Sequence, residues 1–225
     1  MVSLALYEYT SKLYQFEAHV DFIEWSNHEI KDVLGTSLEK VKHEIEFLDV
    51  EEYDEVVEKI DDLEEIILNQ LFLLNFSYFE NFIDKYIELI FISQNEKYEN
   101  DDDFIQNIIQ EKKILLRKGN FRNKKKFLID LIKEKSSNVN FEYIDFIKLI
   151  RNSLTHEDSV TNENMKKIKN NKHYKNNFIR NKRIIISKDF LLETKNQFKK
   201  WAINFDKLIV ESKLLIESFV YDFDI

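Results

Sequence analysis

The chain has 225 residues with no proline, two glycines and no cysteine, and a formal net charge of −9. Without cysteine there are no disulfides and no thiolate metal sites, and a reducing compartment is the simplest setting; with so few helix breakers, long helices are the natural outcome. The charge is strongly polarised, since residues 1–111 carry 28 acidic and 7 basic side chains, net −21, whereas residues 112–188 carry 21 basic and 7 acidic, net +14. Phosphate contacts depend on local potential, so the acidic total does not exclude a nucleic-acid partner for the basic segment. The reading is one all-α domain over residues 1–225. No basic segment followed by an unbroken apolar run opens the chain, and the apolar run 66–79 is interrupted by Asn69, Gln70, Asn75 and Ser77. A cytoplasmic protein with no membrane association is therefore expected.

In chain order, residues 4–30 form a broadly amphipathic first helix, and Gly35 punctuates it. Thr36-Ser37-Leu38-Glu39 has the form of a capping box, so a short helix is predicted to start there and to end near Asp49. From Tyr53 the spacing of Val56, Val57, Ile60, Leu63, Ile66 and Ile67 predicts another helix. That helix becomes apolar on nearly every face through Phe79 and continues to Phe91, which places it in the middle of a bundle as one very long helix or two. A helix with acids at 101–103 and Lys112, Lys113, Arg117 and Lys118 at its far end follows, closed by Gly119-Asn120. A basic helix over 123–135 leads to a polar turn at 136–140, and the next helix spans 141–155 with a stripe of Ile144, Ile147, Ile150 and Leu154. Residues 157–183, rich in Asn and Lys, read as a long mobile loop. Ile184-Ile185-Ile186 is a short strand or a strap across the core, and Ser187 is the expected N-cap of a last helix carrying Phe198, Trp201, Phe205, Leu208, Ile209, Leu215, Ile216 and Phe219.

Leu149-Ile150-Arg151-Asn152-Ser153-Leu154-Thr155-His156 is the most informative segment. It sets an arginine, an amide and a histidine at R-N-x3-H spacing behind an apolar helical run, with a basic stretch after it. The side chains suit RNA cleavage, because RNA supplies its own nucleophile in the 2′-OH and the protein needs only to move protons and to stabilise charge on the phosphate. Histidine titrates near neutrality and serves the first need. Arginine stays charged and offers a fork of donors to phosphate oxygens, which serves the second. Five residues along an ideal helix turn through about 500°, leaving Arg151 and His156 about 140° apart. Either the helix ends before His156, or two chains contribute to one site.

An all-α chain with this local string resembles the HEPN superfamily, whose members carry an R-[polar]-x(3 to 5)-H signature near the end of one helix of a bundle. The resemblance is specific over residues 149–158 and architectural elsewhere. It implies a HEPN-like helical bundle with extra helices, a short strand or hairpin before the last helix being an open feature. It further implies a metal-independent endoribonuclease of the toxin or antiviral-defence kind, with Arg151 and His156 as the catalytic pair and Asn152 as the polar position holding the arginine. A homodimer with both motifs around a shared cleft follows from the same resemblance, as does Glu80, a lone acid in an apolar run, in the role of orienting Arg151. A partly exposed, solvated Glu80 is the plainer reading of that residue.

The candidate RNA contacts are Lys124, Lys125, Lys126, Lys172, Lys175, Arg180, Lys182 and Arg183, with Tyr174 and Phe178 interleaved for base stacking. A solvated basic surface is the structural reading of the same residues. His19, His28, His43 and His173 lack metal-ligand spacing, so neither a metal site nor any cofactor is expected, and no glycine-rich phosphate loop exists. Two other functions fit the composition: a non-catalytic helical module that binds RNA or protein, and a regulatory, antitoxin-like subunit acting through the acidic half. An antitoxin or regulatory protein is correspondingly a partner expectation.

Overall fold

The computed structural model describes residues 1–44, 50–97, 103–132, 139–156, 162–174, 179–180 and 183–222, and for residues 27, 30, 31, 33–44, 50–63, 97, 103–105, 117, 118, 156, 162, 179 and 180 it describes the backbone alone. The chain is all-α. A two-residue strand β1 (Val2–Ser3) leads into α1 (Leu4–Glu44), followed by α2 (Val50–Lys97), α3 (Asp103–Lys118), α4 (Phe121–Leu131), α5 (Glu142–His156) and α6 (Asn162–Lys169). Then come β2 (Ile179–Arg180), β3 (Arg183–Ile184), α7 (Lys188–Glu211), one 3-10 turn at Glu217–Phe219 and β4 (Val220–Tyr221). The strands pair antiparallel as β1 with β4 and β2 with β3.

Among the first hundred residues one expectation changes and one open alternative closes. Helix α1 runs unbroken through Gly35 and through Thr36-Ser37-Leu38-Glu39, so no helix starts at that T-x-x-E string. A single interior glycine costs about 1 kcal/mol relative to alanine, too little to stop a helix with no proline nearby. The expected end near Asp49 lies outside the described residues. The long apolar segment is one helix, α2, of 48 residues.

The α3–α4 junction is tight because it contains only Gly119 and Asn120. A Cβ on Gly119 would sit 3.0 Å from the Leu115 carbonyl oxygen and 3.2 Å from that of Leu116, so the requirement for glycine is close approach rather than a left-handed backbone. The Asn120 side chain then caps α4 by accepting from the Asn123 amide at 3.2 Å. Residues 136–138 of the expected polar turn lie outside the described residues, and α4 starts two residues earlier than its sequence pattern indicated.

The stretch expected to be one long loop holds α6 and the β2–β3 hairpin. Ile168 is fully buried in α6, which gives that short helix an anchor in an otherwise polar segment. The strand option for residues 184–186 holds for Ile184 alone. Ser187 caps α7, its hydroxyl accepting from the Phe190 amide at 3.2 Å. Helix α7 stops at Glu211, short of the expected end, so Leu215, Ile216 and Phe219 follow the helix rather than belong to it. Lys213 adopts φ 54°, the Lys213 amide donates to the Val210 carbonyl and the Leu214 amide donates to the Ile209 carbonyl. This is a Schellman closure with lysine where glycine is usual.

The described residues group into two compact units: Met1–Leu13, Asn75–Lys148 and Glu193–Ile225 in the first, Tyr14–Leu74 and Leu149–Leu192 in the second. The first unit is built on aromatic packing. Phe79 stacks on Phe198 at 4.3 Å between centroids, Trp201 on Phe205 at 4.9 Å, and Phe141 meets Trp201 edge-on. Such pairs add about 0.5–1.5 kcal/mol each beyond the area they bury. In the second unit Phe72 stacks on Phe190 at 5.8 Å.

The first unit also contains a buried polar cluster. Asp206 on α7 accepts hydrogen bonds from the Ser3 amide at 3.2 Å, from the Ser3 hydroxyl and from the Tyr86 hydroxyl, and Ser3 Oγ in turn accepts from the Leu6 amide at 3.1 Å as the cap of α1. Burial pushes the Asp206 carboxyl up to about 6, opposed by the Ser3 hydrogen bonds and the N-terminal ammonium. Asn75 is fully buried with neither amide atom hydrogen-bonded.

Candidate functional site

Helix α5 carries the R-N-x3-H string, and its sequence explains both its start and its reach. Asn140 accepts from the Glu142 amide at 2.7 Å, Glu142 and Asp145 set negative charge against the positive helix start, and Phe141, Ile144, Ile147 and Ile150 are buried. The buried face carries the helix into the second unit, where Leu149 to His156 belong.

Residues 151–156 remain helical, so the possibility that the helix ends before His156 is removed. Thr155 Oγ1 donates back to the Arg151 carbonyl at 3.1 Å and to the Asn152 carbonyl at 3.3 Å, and Ser153 Oγ donates to the Leu149 carbonyl at 3.1 Å. The helical geometry therefore sets Arg151 and His156 about 140° apart around one axis. Arg151 is half-buried, and its Nη1 donates to Asn152 Oδ1 at 3.2 Å. The amide beside the arginine thus fixes one edge of the guanidinium fork. For His156 only the backbone is described.

The second unit also holds α6 and the β2–β3 hairpin, so Lys172, Arg180 and Arg183 belong to the same unit as the motif. Lys172 and Arg183 are exposed. In the hairpin register Arg180 lies directly opposite Arg183. Lys175, Lys182 and Phe178 lie outside the described residues, and Tyr174 is half-buried.

The other candidates fall in the first unit. Glu80 is half-buried there, in the middle of α2. The Lys124-Lys125-Lys126 triplet divides by helical position: Lys124 pairs with Asp84 at 2.5 Å, Lys125 pairs with Asp145 and lies 5.3 Å from the Phe141 ring centroid, and Lys126 is exposed. Two of the three are committed to acids of the same unit, which the sequence run alone did not reveal. Lys126 instead lines a cleft of about 420 Å³ between α3 and α4, with Lys112, Leu115, Leu116, Asn123 and Phe127 among its walls. Lys126 was a candidate from sequence, whereas Leu115 and Phe127 of this cleft were not singled out; the signal on α4 is the i, i+3, i+4 spacing of Asn123, Lys126 and Phe127.

Among the described residues no three His, Asp or Glu side chains gather as a metal-binding group, and no helix is long and apolar enough to cross a membrane. His28 faces Asp32 one helical turn on, at 3.1 Å, and both are exposed. The chain matches no family model, no curated protein and no solved structure.

Proposed function

We propose that the chain is a HEPN-type endoribonuclease that cleaves RNA by 2′-OH attack, acts as a homodimer, and serves as a toxin or antiviral-defence effector of the cytoplasm. The observation that carries this reading is the Arg151–Asn152 hydrogen bond on a helix that persists to His156. The motif's amide is engaged with the arginine, as a positioned phosphate ligand requires, and the two catalytic candidates diverge on one helix. Divergence favours a site shared by two chains, with Arg151 of one copy and His156 of the other at the same phosphate. His156 takes the 2′-OH proton or delivers one to the 5′-oxygen leaving group, and the Arg151 guanidinium stabilises charge on the phosphoryl oxygens. The products are a 2′,3′-cyclic phosphate and a 5′-hydroxyl.

The test is incubation of purified chain with single-stranded RNA in EDTA, with end-group analysis of the products. The reading expects cyclic-phosphate ends from the wild type and none from Arg151→Ala or His156→Ala chains with unchanged helicity. Cleavage indifferent to both substitutions, or dependent on added metal, contradicts it. A non-catalytic module is the second reading, favoured by the same divergence of Arg151 and His156 if each chain works alone. It expects RNA or protein association with no cleavage.

A further inference from the structure

The part of α1 that belongs to the second unit carries an exposed aromatic face. Tyr14, Phe22 and Trp25 are 62 %, 62 % and 59 % exposed, and Ala18 between them is exposed as well. At 100° per residue the four positions fall within about 80° of one another, and Tyr14 to Trp25 spans about 17 Å of helix axis. Phe22 and Trp25 also meet at 6.0 Å between centroids. Acids run along the same face. Asp21 and Asp32 lie within about 20° of the Tyr14 direction, Glu29 falls between those of Trp25 and Phe22, and all three are exposed. On one flank Glu17 is half-buried and Glu24 pairs with Lys188 of α7, while His28 lies 3.1 Å from Asp32. Residues 13–30 contain no lysine or arginine, and Lys31, of which the backbone alone is described, falls about 100° or more from each aromatic position. A solvated aromatic stripe of this kind marks an interaction surface.

We infer that this face docks a cationic amphipathic helix of a partner protein, whose apolar side chains cover Tyr14, Phe22 and Trp25 and whose lysines or arginines meet Asp21, Glu29 and Asp32. Charge selects the class of partner. The acids repel a phosphate backbone and an anionic lipid surface, and a second copy of the same face would set these three acids against their own counterparts. Backbone chemistry selects the conformation. The amides and carbonyls of α1 bond within the helix, so the face offers a covering chain no hydrogen-bonding edge, and a segment pressed onto aromatic rings must satisfy its own backbone. A helix does so, and about three turns match the length of the stripe. Three rings exposed to this degree contribute on the order of 300 Å², well below the roughly 800 Å² per partner of a stable interface between globular proteins. That area suits one docked helix. The face lies within one unit and uses no residue assigned to the Arg151 and His156 site, so the inference goes beyond the nuclease reading and does not rest on it.

The experiment titrates the full chain with a synthetic peptide of about 14 residues, blocked at both ends, with leucines on one helical face and lysines on the other. Trp25 reports directly, because it is solvated while the chain's other tryptophan, Trp201, is buried. The peptide is expected to shift tryptophan emission to the blue until saturation, and its counterpart with glutamate for lysine to bind about tenfold more weakly or not at all. Anisotropy of the labelled peptide reads the variants, with circular dichroism checking that helicity is unchanged. Trp25→Ala, and Asp21→Lys combined with Glu29→Lys, are each expected to weaken binding about tenfold or more. Glu111→Lys combined with Glu211→Lys, exposed acids elsewhere that change the charge equally, should weaken it by less than about threefold. No shift at the highest soluble peptide concentration overturns the inference, as does equal weakening by the two charge-reversed pairs. So does a blue shift of Trp25 on concentrating the chain alone, the signature of a second copy, or on adding phosphatidylglycerol vesicles or single-stranded RNA. Cleavage is not read: a chain that docks the peptide and cleaves nothing sinks the nuclease reading alone, and a nuclease whose Trp25 emission never moves sinks this inference alone.

Discussion

The end of α5 and the Ser3–Tyr86–Asp206 cluster are both polar arrangements in an aromatic-rich helical protein, and they differ in two respects. Arg151, Asn152 and His156 lie within six consecutive residues of one helix, and Arg151 is half-buried. Ser3, Tyr86 and Asp206 come from three distant parts of the chain and are all buried. The half-buried Arg151 and Asn152 keep some access to solvent, as the proposed ligand site requires, and the buried cluster suits a latch that joins the chain's first residues to α2 and α7. Burial separates the two arrangements.

The sharpest break of that comparison is substitution at each pole. Arg151→Ala and His156→Ala are expected to lower cleavage by about 10²–10⁴-fold, the usual contribution of a general acid or base, with little change in melting temperature. Asp206→Ala is expected to do the opposite. It leaves the buried Ser3 and Tyr86 donors without their acceptor and costs about 2–4 kcal/mol of stability in denaturant titration, while the folded fraction cleaves at the wild-type rate. A large stability loss in Arg151→Ala would collapse the distinction.

The latch also has a pH signature. Its carboxyl is pushed up to about 6 in the folded chain, above the ~3.9 of an unfolded aspartate. Between those values the folded chain holds a proton that the unfolded chain has lost, so this group makes stability fall as pH rises from about 4 to 6 and level off above. Asp206→Asn lacks that titration. The stability of the wild type relative to Asp206→Asn should therefore rise on acidification from pH 7 to 4, by on the order of 2–3 kcal/mol. A difference that stays constant with pH would show the carboxyl to be solvated.

Smaller effects separate the basic residues. Arg183→Ala is expected to weaken RNA binding and to reduce the salt dependence of affinity by about one phosphate contact. Lys124→Ala breaks the pair with Asp84 and should lower stability modestly while leaving the salt dependence unchanged. The smallest change is Asn75→Leu, which replaces two buried amide atoms without hydrogen bonds. It is expected to raise stability by about 1 kcal/mol. Loss of stability there would mean that the amide is satisfied in solution.

The legible parts of the fold are those written in local periodicity. The apolar spacing of α2 and α5 and the serine before α7 act over three or four residues, and the helices lie where those patterns put them. Gly35 was misleading because a glycine marks a weak point without compelling a break, and α1 has enough neighbours on either side to continue through it. Helix α6 escaped notice because its burial rests on one isoleucine, Ile168, amid lysines and asparagines. The early stop of α7 depends on Lys213 entering the left-handed region, which nothing in the residue type announces. The candidate motif was legible as a string, yet the engagement of Lys124 and Lys125 was not, because Asp84 and Asp145 lie on other helices. The Ser3–Tyr86–Asp206 latch was silent for the same reason.

The central claim is a site completed by two chains, and the most direct test is to mix two inactive ones. Arg151→Ala and His156→Ala chains are each expected to be inactive, since every shared site then lacks one of its two groups. Mixed in equal amounts and allowed to exchange subunits, half of the dimers are heterodimers, and each heterodimer holds one site with arginine from one chain and histidine from the other. The account predicts recovery of about one quarter of the wild-type cleavage rate, by this independent-site counting. A mixture that exchanges subunits and stays inactive, beside a wild type that cleaves, would contradict it.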